Sequence, residues 1–123
     1  MPRTVAVIGA SSDRRKFGNK ALRAFRDHGD TVIPVNPKEA EVEGATCYPS
    51  VLDVPGPIDM ATMYVAPGVG LRVLDEIAKK GIREVWLNPG ADSPEVVDRA
   101  RALGLEPVVA CSIVGIGRSP SAY

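Results

Sequence analysis

The sequence predicts an α/β domain built on a small parallel sheet with helices on both faces. Three observations carry that expectation. Short apolar, β-branched runs alternate with amphipathic helical patterns along the whole chain. Glycine closes each of the three helical patterns, at Gly29, Gly81 and Gly104. No repeat, low-complexity stretch or linker interrupts the alternation. A length of 123 residues fits a single domain spanning 1–123 with one core.

The first strand is Val5-Ala6-Val7-Ile8, an apolar run that reads as buried on both faces. It stops at Gly9 and passes through Ala10-Ser11-Ser12 into a helix over about Phe17 to His28. Ala21, Leu22 and Phe25 form its buried stripe, while Lys20, Arg23 and Arg26 face away. The second strand is Thr31–Val35, where Pro34 suggests a position near one end of the strand's pairing. Residues Asn36 to Pro49 are turn-like, and Ser50 with Asp53 has capping-box spacing for a short helical turn.

Pro55-Gly56-Pro57 breaks that turn, and the third strand runs from Ile58 to Val65. The next helix carries Leu71, Leu74, Ile77 and Ala78 inward, with Asp75–Lys79 and Glu76–Lys80 as i,i+4 pairs on its wet face. Strand four is Glu84–Leu87. Ser93-Pro94-Glu95 starts the last clear helix, which buries Val96, Val97, Ala100 and Leu103. Strand five is Leu105 to Ala110, and the tail from Cys111 to Tyr123 fits no element. Right-handed crossovers between five such strands imply a doubly wound, Rossmann-like sheet of order 3-2-1-4-5. Ligands of such sheets bind beyond the carboxyl ends of the strands, here Gly9–Ser12, Asn36–Lys38, Val65–Gly68, Asn88–Gly90 and Cys111.

Composition narrows the function classes. Fifteen basic residues balance fifteen acidic ones, so neither a nucleic-acid nor a membrane partner is expected. No apolar run approaches the roughly 18 residues of a membrane span. With only Met1 to Thr4 ahead of the first strand, no signal peptide is expected, and a cytoplasmic protein is the natural reading. Cys47 and Cys111 have neither disulfide-framework nor metal-ligand spacing.

The loop after strand one is the first candidate site. A G-x-G-x-x-G fingerprint needs glycine at positions 11 and 14, which hold Ser11 and Arg14. Gly9, Ser11 and Ser12 nevertheless offer backbone and hydroxyl donors to a pyrophosphate. Arg14, Arg15, Lys16 and Lys20 crowd a helix start, where the macrodipole disfavours cations, and a bound anion removes that conflict. The end of strand two is the second. NAD-binding domains place an acid there for the ribose hydroxyls, whereas this chain reads Val35-Asn36-Pro37-Lys38. A cation favours a phosphorylated ribose: the 2′-phosphate of NADP or the 3′-phosphate of coenzyme A.

The segments Val7–Ser12, Val32–Lys38, Tyr48-Pro49-Ser50, Tyr64–Pro67, Val85–Gly90 and Gly104–Val109 resemble the CoA-binding domain family. They are similar to the N-terminal Rossmann-like domain of the succinyl-CoA synthetase α subunit. The resemblance implies that Gly9, Ala10, Ser11 and Ser12 hold the pyrophosphate, and the basic residues Arg14, Arg15 or Lys16 would add charge. It implies that Asn36, Pro37 and Lys38 lie by the adenosine 3′-phosphate. Val65, Ala66 and Pro67, with Asn88, Pro89 and Gly90, would line the adenine or pantetheine path. The cofactor expected is coenzyme A or an acyl-CoA, bound without catalysis. The synthetase's domain with the phosphorylated histidine has no counterpart, and the neutral Ala110–Gly115 stretch departs from typical relatives.

Other readings stay open: a minimal NADP-dependent reductase, or an interaction protein working through its tail or a homo-oligomer face. Few residues look catalytic. His28 ends the first helix at the sheet edge opposite the site, where it suits the helix dipole. Asp13 and Asp92 are isolated acids. Cys111 could exchange disulfides with a ligand thiol or be an inert buried cysteine. Tyr64 and Trp86 read as core residues, and Tyr48 as a residue able to stack on a base.

Overall fold

The structure is a computed structural model that describes residues 2–123. Its elements are β1 (Thr4–Ile8), α1 (Phe17–Asp27), β2 (Thr31–Val35), the two-residue strands β3 (Glu41–Val42) and β4 (Ala45–Thr46), a 3-10 turn at Val51–Asp53, β5 (Met60–Met63) and α2 (Pro67–Lys80). They continue as β6 (Glu84–Leu87), α3 (Pro94–Ala102), β7 (Glu106–Val108), the short α4 (Ser112–Gly115) and a 3-10 turn at Pro120–Ala122. No helix among the described residues is long and apolar enough to cross a membrane.

Five strands form one sheet of order β2-β1-β5-β6-β7, and every pairing in it is parallel. Outside β2, Tyr48 makes a single parallel bridge to Val35. A Rossmann count gives that outer place to strand three, so the sheet keeps the predicted order 3-2-1-4-5 in that numbering. Counted along the chain, the third long strand, β5, lies beside β1. The crossovers therefore diverge between β1 and β5, which puts the ligand crevice at their carboxyl ends.

Alternation along each strand sorts the core into two layers. Val5 and Val7 of β1 pack with Ala21, Leu22 and Phe25 of α1 and Ile113 of α4. Ala6 and Ile8 pack on the other face with Leu74 and Ile77 of α2 and Val96 and Ala100 of α3. Pro34 sits inside the pairing of β2 with β1, opposite Val7, and not at its end. Its carbonyl accepts from the Tyr48 amide on the outer side. A strand residue's N–H and C=O point the same way, so the missing donor of Pro34 faces away from β1 and costs no ladder bond.

Several expectations change in detail. Strand three keeps only Met60–Met63 of its apolar run, and strand five only Glu106–Val108, the latter because β7 has only β6 to pair with and Val109 and Ala110 run out exposed. The turn-like segment holds the β3–β4 hairpin, closed by Glu43 and Gly44 at φ of 49° and 80°. The acids of α2 do not form i,i+4 pairs. Asp75 takes Arg99 of α3 at 2.6 Å, Glu76 accepts from Ser50 Oγ at 2.8 Å, and Lys80 donates to the Val54 carbonyl. Ser50 caps its turn through the Leu52 amide, with Glu76 and not Asp53 completing the contact. The tail is anchored as well. Arg23 donates to the Tyr123 carbonyl at 2.9 Å, and the Tyr123 hydroxyl donates to Asp27 at 2.9 Å.

Candidate functional site

A groove of about 950 Å³ opens at the carboxyl ends of β1, β2 and β5. Gly9 and Ser11 follow β1, Asn36 to Lys38 follow β2, and Tyr64 to Ala66 follow β5; all of them line it. Two close approaches shape the first loop. Gly9 has φ +88°, and a Cβ on it would stand 2.5 Å from the Tyr64 carbonyl oxygen. A Cβ on Gly18 would stand 2.3 Å from the Gly9 oxygen. Gly18 thus lets α1 start directly against the loop, the part the last glycine of the dinucleotide fingerprint plays.

The loop is rigidified from two sides. Asn19, fully buried on α1, donates to the Ser11 carbonyl at 2.8 Å and accepts from Arg23 at 2.7 Å. Asn36 donates to the Ala10 carbonyl at 2.8 Å and accepts the Lys38 amide at 2.9 Å. This Asx-type turn presents Lys38 at the groove rim. The α1 terminus itself is open: its N-cap, Lys16, makes no side-chain cap bond. Lys16, Phe17 and Gly18 all line the groove, so first-turn amides and a positive helix end face it.

The cations divide into two sets. Arg14 pairs with Glu43 at 3.6 Å and Arg15 with Asp13 at 3.1 Å, so both charges are already met by acids. Lys20 lies over the Phe17 ring. Lys16, Lys38 and Arg72 line the groove, and none is in an ion pair among the described residues. Hydrogen bonds from the Arg15 side chain and amide lower the Asp13 pKa to about 2. Since the folded value lies below the unfolded one, the contribution of this turn is present above the ordinary carboxylate range and lost as pH falls. A carboxyl-detected NMR titration is expected to show Asp13 ionised until about pH 2.

Some predicted residues lie beneath or beside the groove instead of in its wall. Ala10 is fully buried, and Ser12 is bonded to Glu39. Pro67 is the first residue of α2, outside the lining. Asn88 is buried in the floor, donating to Thr62 Oγ1 and the Met63 carbonyl and accepting the Ser112 amide at 2.8 Å. Ser112 Oγ in turn meets Thr62 Oγ1 at 2.7 Å and the Tyr64 hydroxyl at 3.1 Å. This network ties α4 to the sheet under the groove. Asn88→Ala would orphan several buried groups at once. A loss of about 2–3 kcal/mol in denaturant unfolding is expected, with faster hydrogen exchange at the Ser112 amide.

Tyr64 is not plain core. It borders the groove, and burial pushes its pKa up to about 12, so it remains a phenol. Cys111 caps α4 half-buried on the α1 side and does not line the groove, because β7 is the far edge strand. Cys47 is buried, donates to the Asn36 carbonyl, and has its thiol pKa raised by burial. His28 caps the far end of α1 and pairs with Asp30 at 2.9 Å. Among the described residues no cluster of His, Cys, Asp or Glu could hold a metal ion.

Sequence reasoning missed the α2 wall, where Val69, Arg72, Val73 and Glu76 face the groove. A helical spacing of 69, 72, 73 and 76 marks one face, but its neighbour could not be read without the sheet order. Asn19 had a signal: a polar residue three before Leu22 on the buried stripe.

The sequence model of one family, described as CoA binding domain, matches residues 3–116. An ADP-forming acetate–CoA ligase of Archaeoglobus fulgidus is 33% identical over 115 residues, covering 85% of this chain and 17% of the ligase. A second such ligase, of Methanocaldococcus jannaschii, is 42% identical over 82 residues, or 67% of this chain and 12% of the ligase. The chain thus spans less than a fifth of either ligase. A solved structure described as a hypothetical protein from Pyrococcus horikoshii superposes with a TM-score of 0.86 at 34% identity, covering 92% of this chain and 80% of that one.

Proposed function

The chain belongs to the CoA binding domain family, and we propose that it holds coenzyme A or an acyl-CoA in this groove without chemistry of its own. The observation that carries the reading is Lys38, a cation on an Asn36 turn where a dinucleotide site needs an acid. The donor set fits the cofactor. Gly9, Ser11 and the open α1 terminus suit a diphosphate. Lys38 suits the 3′-phosphate, and Lys16 and Arg72, in no ion pair among the described residues, add positive charge. Val65, Ala66, Pro89 and Gly90 offer a mostly apolar path for adenine or pantetheine. Ser12, Pro37, Pro67 and the backbone near Asn88 complete the loops around it.

The absence of chemistry rests on where the reactive groups stand. His28 is at the opposite end of α1, and Glu76, the acid in the groove wall, is bonded to Ser50. A thermal-shift panel of CoA, dephospho-CoA, NADP and NAD tests the reading. At about 100 times its dissociation constant CoA should stabilise by roughly 2.7 kcal/mol, or roughly 10 °C. A shift with NADP and none with CoA would replace this reading with the reductase.

A further inference from the structure

The first loop already holds an anion, and it is one of the chain's own. Ser12 donates through its amide to Glu39 Oε2 at 2.5 Å and through its hydroxyl to Oε1 at 3.0 Å. Glu39 follows Lys38 directly and donates its amide to the Asn36 carbonyl at 3.3 Å. The carboxylate therefore latches the loop after β2 onto the loop after β1. Neutral donors alone hold it: Glu39 is in no ion pair among the described residues. Carboxylate and phosphate oxygens make the same demand on an amide and a hydroxyl. Ser12 and Glu39 stand beside the groove, next to Ser11 and Lys38, which border it, so a phosphate at that rim would compete for the Ser12 donors.

We propose that Glu39 is a built-in stand-in for the ligand's diphosphate, occupying the Ser12 donors until a phosphate displaces it. The proposal rests on the reading that phosphate-bearing ligands enter this groove. It assigns Glu39 a regulatory part: it fixes the two loops together in the free protein and competes with an incoming phosphate for the Ser12 donors. A phosphate group, with more charge and three oxygens, offers Ser12 a better acceptor and leaves Glu39 to turn outward. The released loop is the one carrying Lys38.

The test titrates wild type, Glu39→Gln, Glu39→Ala and Glu41→Ala with inorganic pyrophosphate and, separately, with CoA, following the Ser12 amide resonance. Glu41, exposed on β3, gives the same charge change without touching Ser12, so its variant measures the field effect alone. Glu39→Ala should bind pyrophosphate about tenfold tighter than wild type, with Glu39→Gln between them and Glu41→Ala close to wild type. The Ser12 resonance should move with each titration. Binding by Glu39→Ala no tighter than by wild type, or a gain matched by Glu41→Ala, would overturn the proposal, as would failure of every form to bind pyrophosphate. A gain with pyrophosphate alongside no binding of CoA by any form would uphold the stand-in and remove the CoA reading.

Discussion

Lys38→Glu is expected to weaken CoA binding about 30- to 100-fold, or about 2–3 kcal/mol, by titration calorimetry at low salt. The turn that Asn36 makes with the Lys38 amide survives the change, since it uses only backbone of residue 38. The lost term is the charge meeting the 3′-phosphate. Two companions make the result specific. Dephospho-CoA should bind weakly to both forms and with similar affinity, because it lacks the group that Lys38 meets. Raising the salt should narrow the gap for CoA, since Lys38 is exposed and its field is screened. Equal binding of CoA and dephospho-CoA by the wild type would remove the part given to Lys38.

Gly18→Ala should be among the most damaging single methyls in the chain. The new Cβ would stand 2.3 Å from the Gly9 oxygen, against backbone and not a flexible side chain. Relief requires α1 to back away from the loop, which pulls Asn19 off the Ser11 carbonyl and Ala21 and Leu22 off the sheet. Overpacking of this kind costs about 3 kcal/mol. Thermal melting should fall by roughly 10 °C. Gly29→Ala is the contrasting case, since nothing lies within 4 Å of a Cβ there and only its φ of +97° is strained. If Gly18→Ala melted no lower than Gly29→Ala, the close approach of α1 would not be what shapes the loop.

Local signals made the fold legible. Val5–Ile8, Thr31–Val35 and Glu84–Leu87 are apolar runs set directly before or after glycine-closed helices, and each forms the strand it announces. Ser93 caps α3 through the Val96 amide, as its Ser-Pro-Glu start implies. Partners distant in sequence were the illegible part. Asp75 and Glu76 had good local pairs in Lys79 and Lys80, yet their carboxylates reach α3 and the Ser50 turn. Helix packing brings those groups closer, and exposed i,i+4 pairs contribute only a few tenths of a kcal/mol. The site divides the same way. The loops of Gly9, Asn36–Lys38 and Val65 were readable from strand ends, whereas the α2 wall and the Glu39–Ser12 latch depend on how the loops meet. Asn88 belonged to the right loop, but its side chain points into a buried network that no spacing announces.

Backbone amide shift mapping during a CoA titration addresses the central claim most directly. The account predicts the largest changes at Gly9, Ser11, Phe17, Gly18, Lys38, Val65 and Gly90, all bordering the groove. Trp86 and Gly115, which border a separate hollow by His28, should stay still. Saturating changes confined to the groove and the adjoining Ser12 would establish the ligand and its place together. Changes centred on Trp86 and Gly115, or none at millimolar CoA, would contradict it.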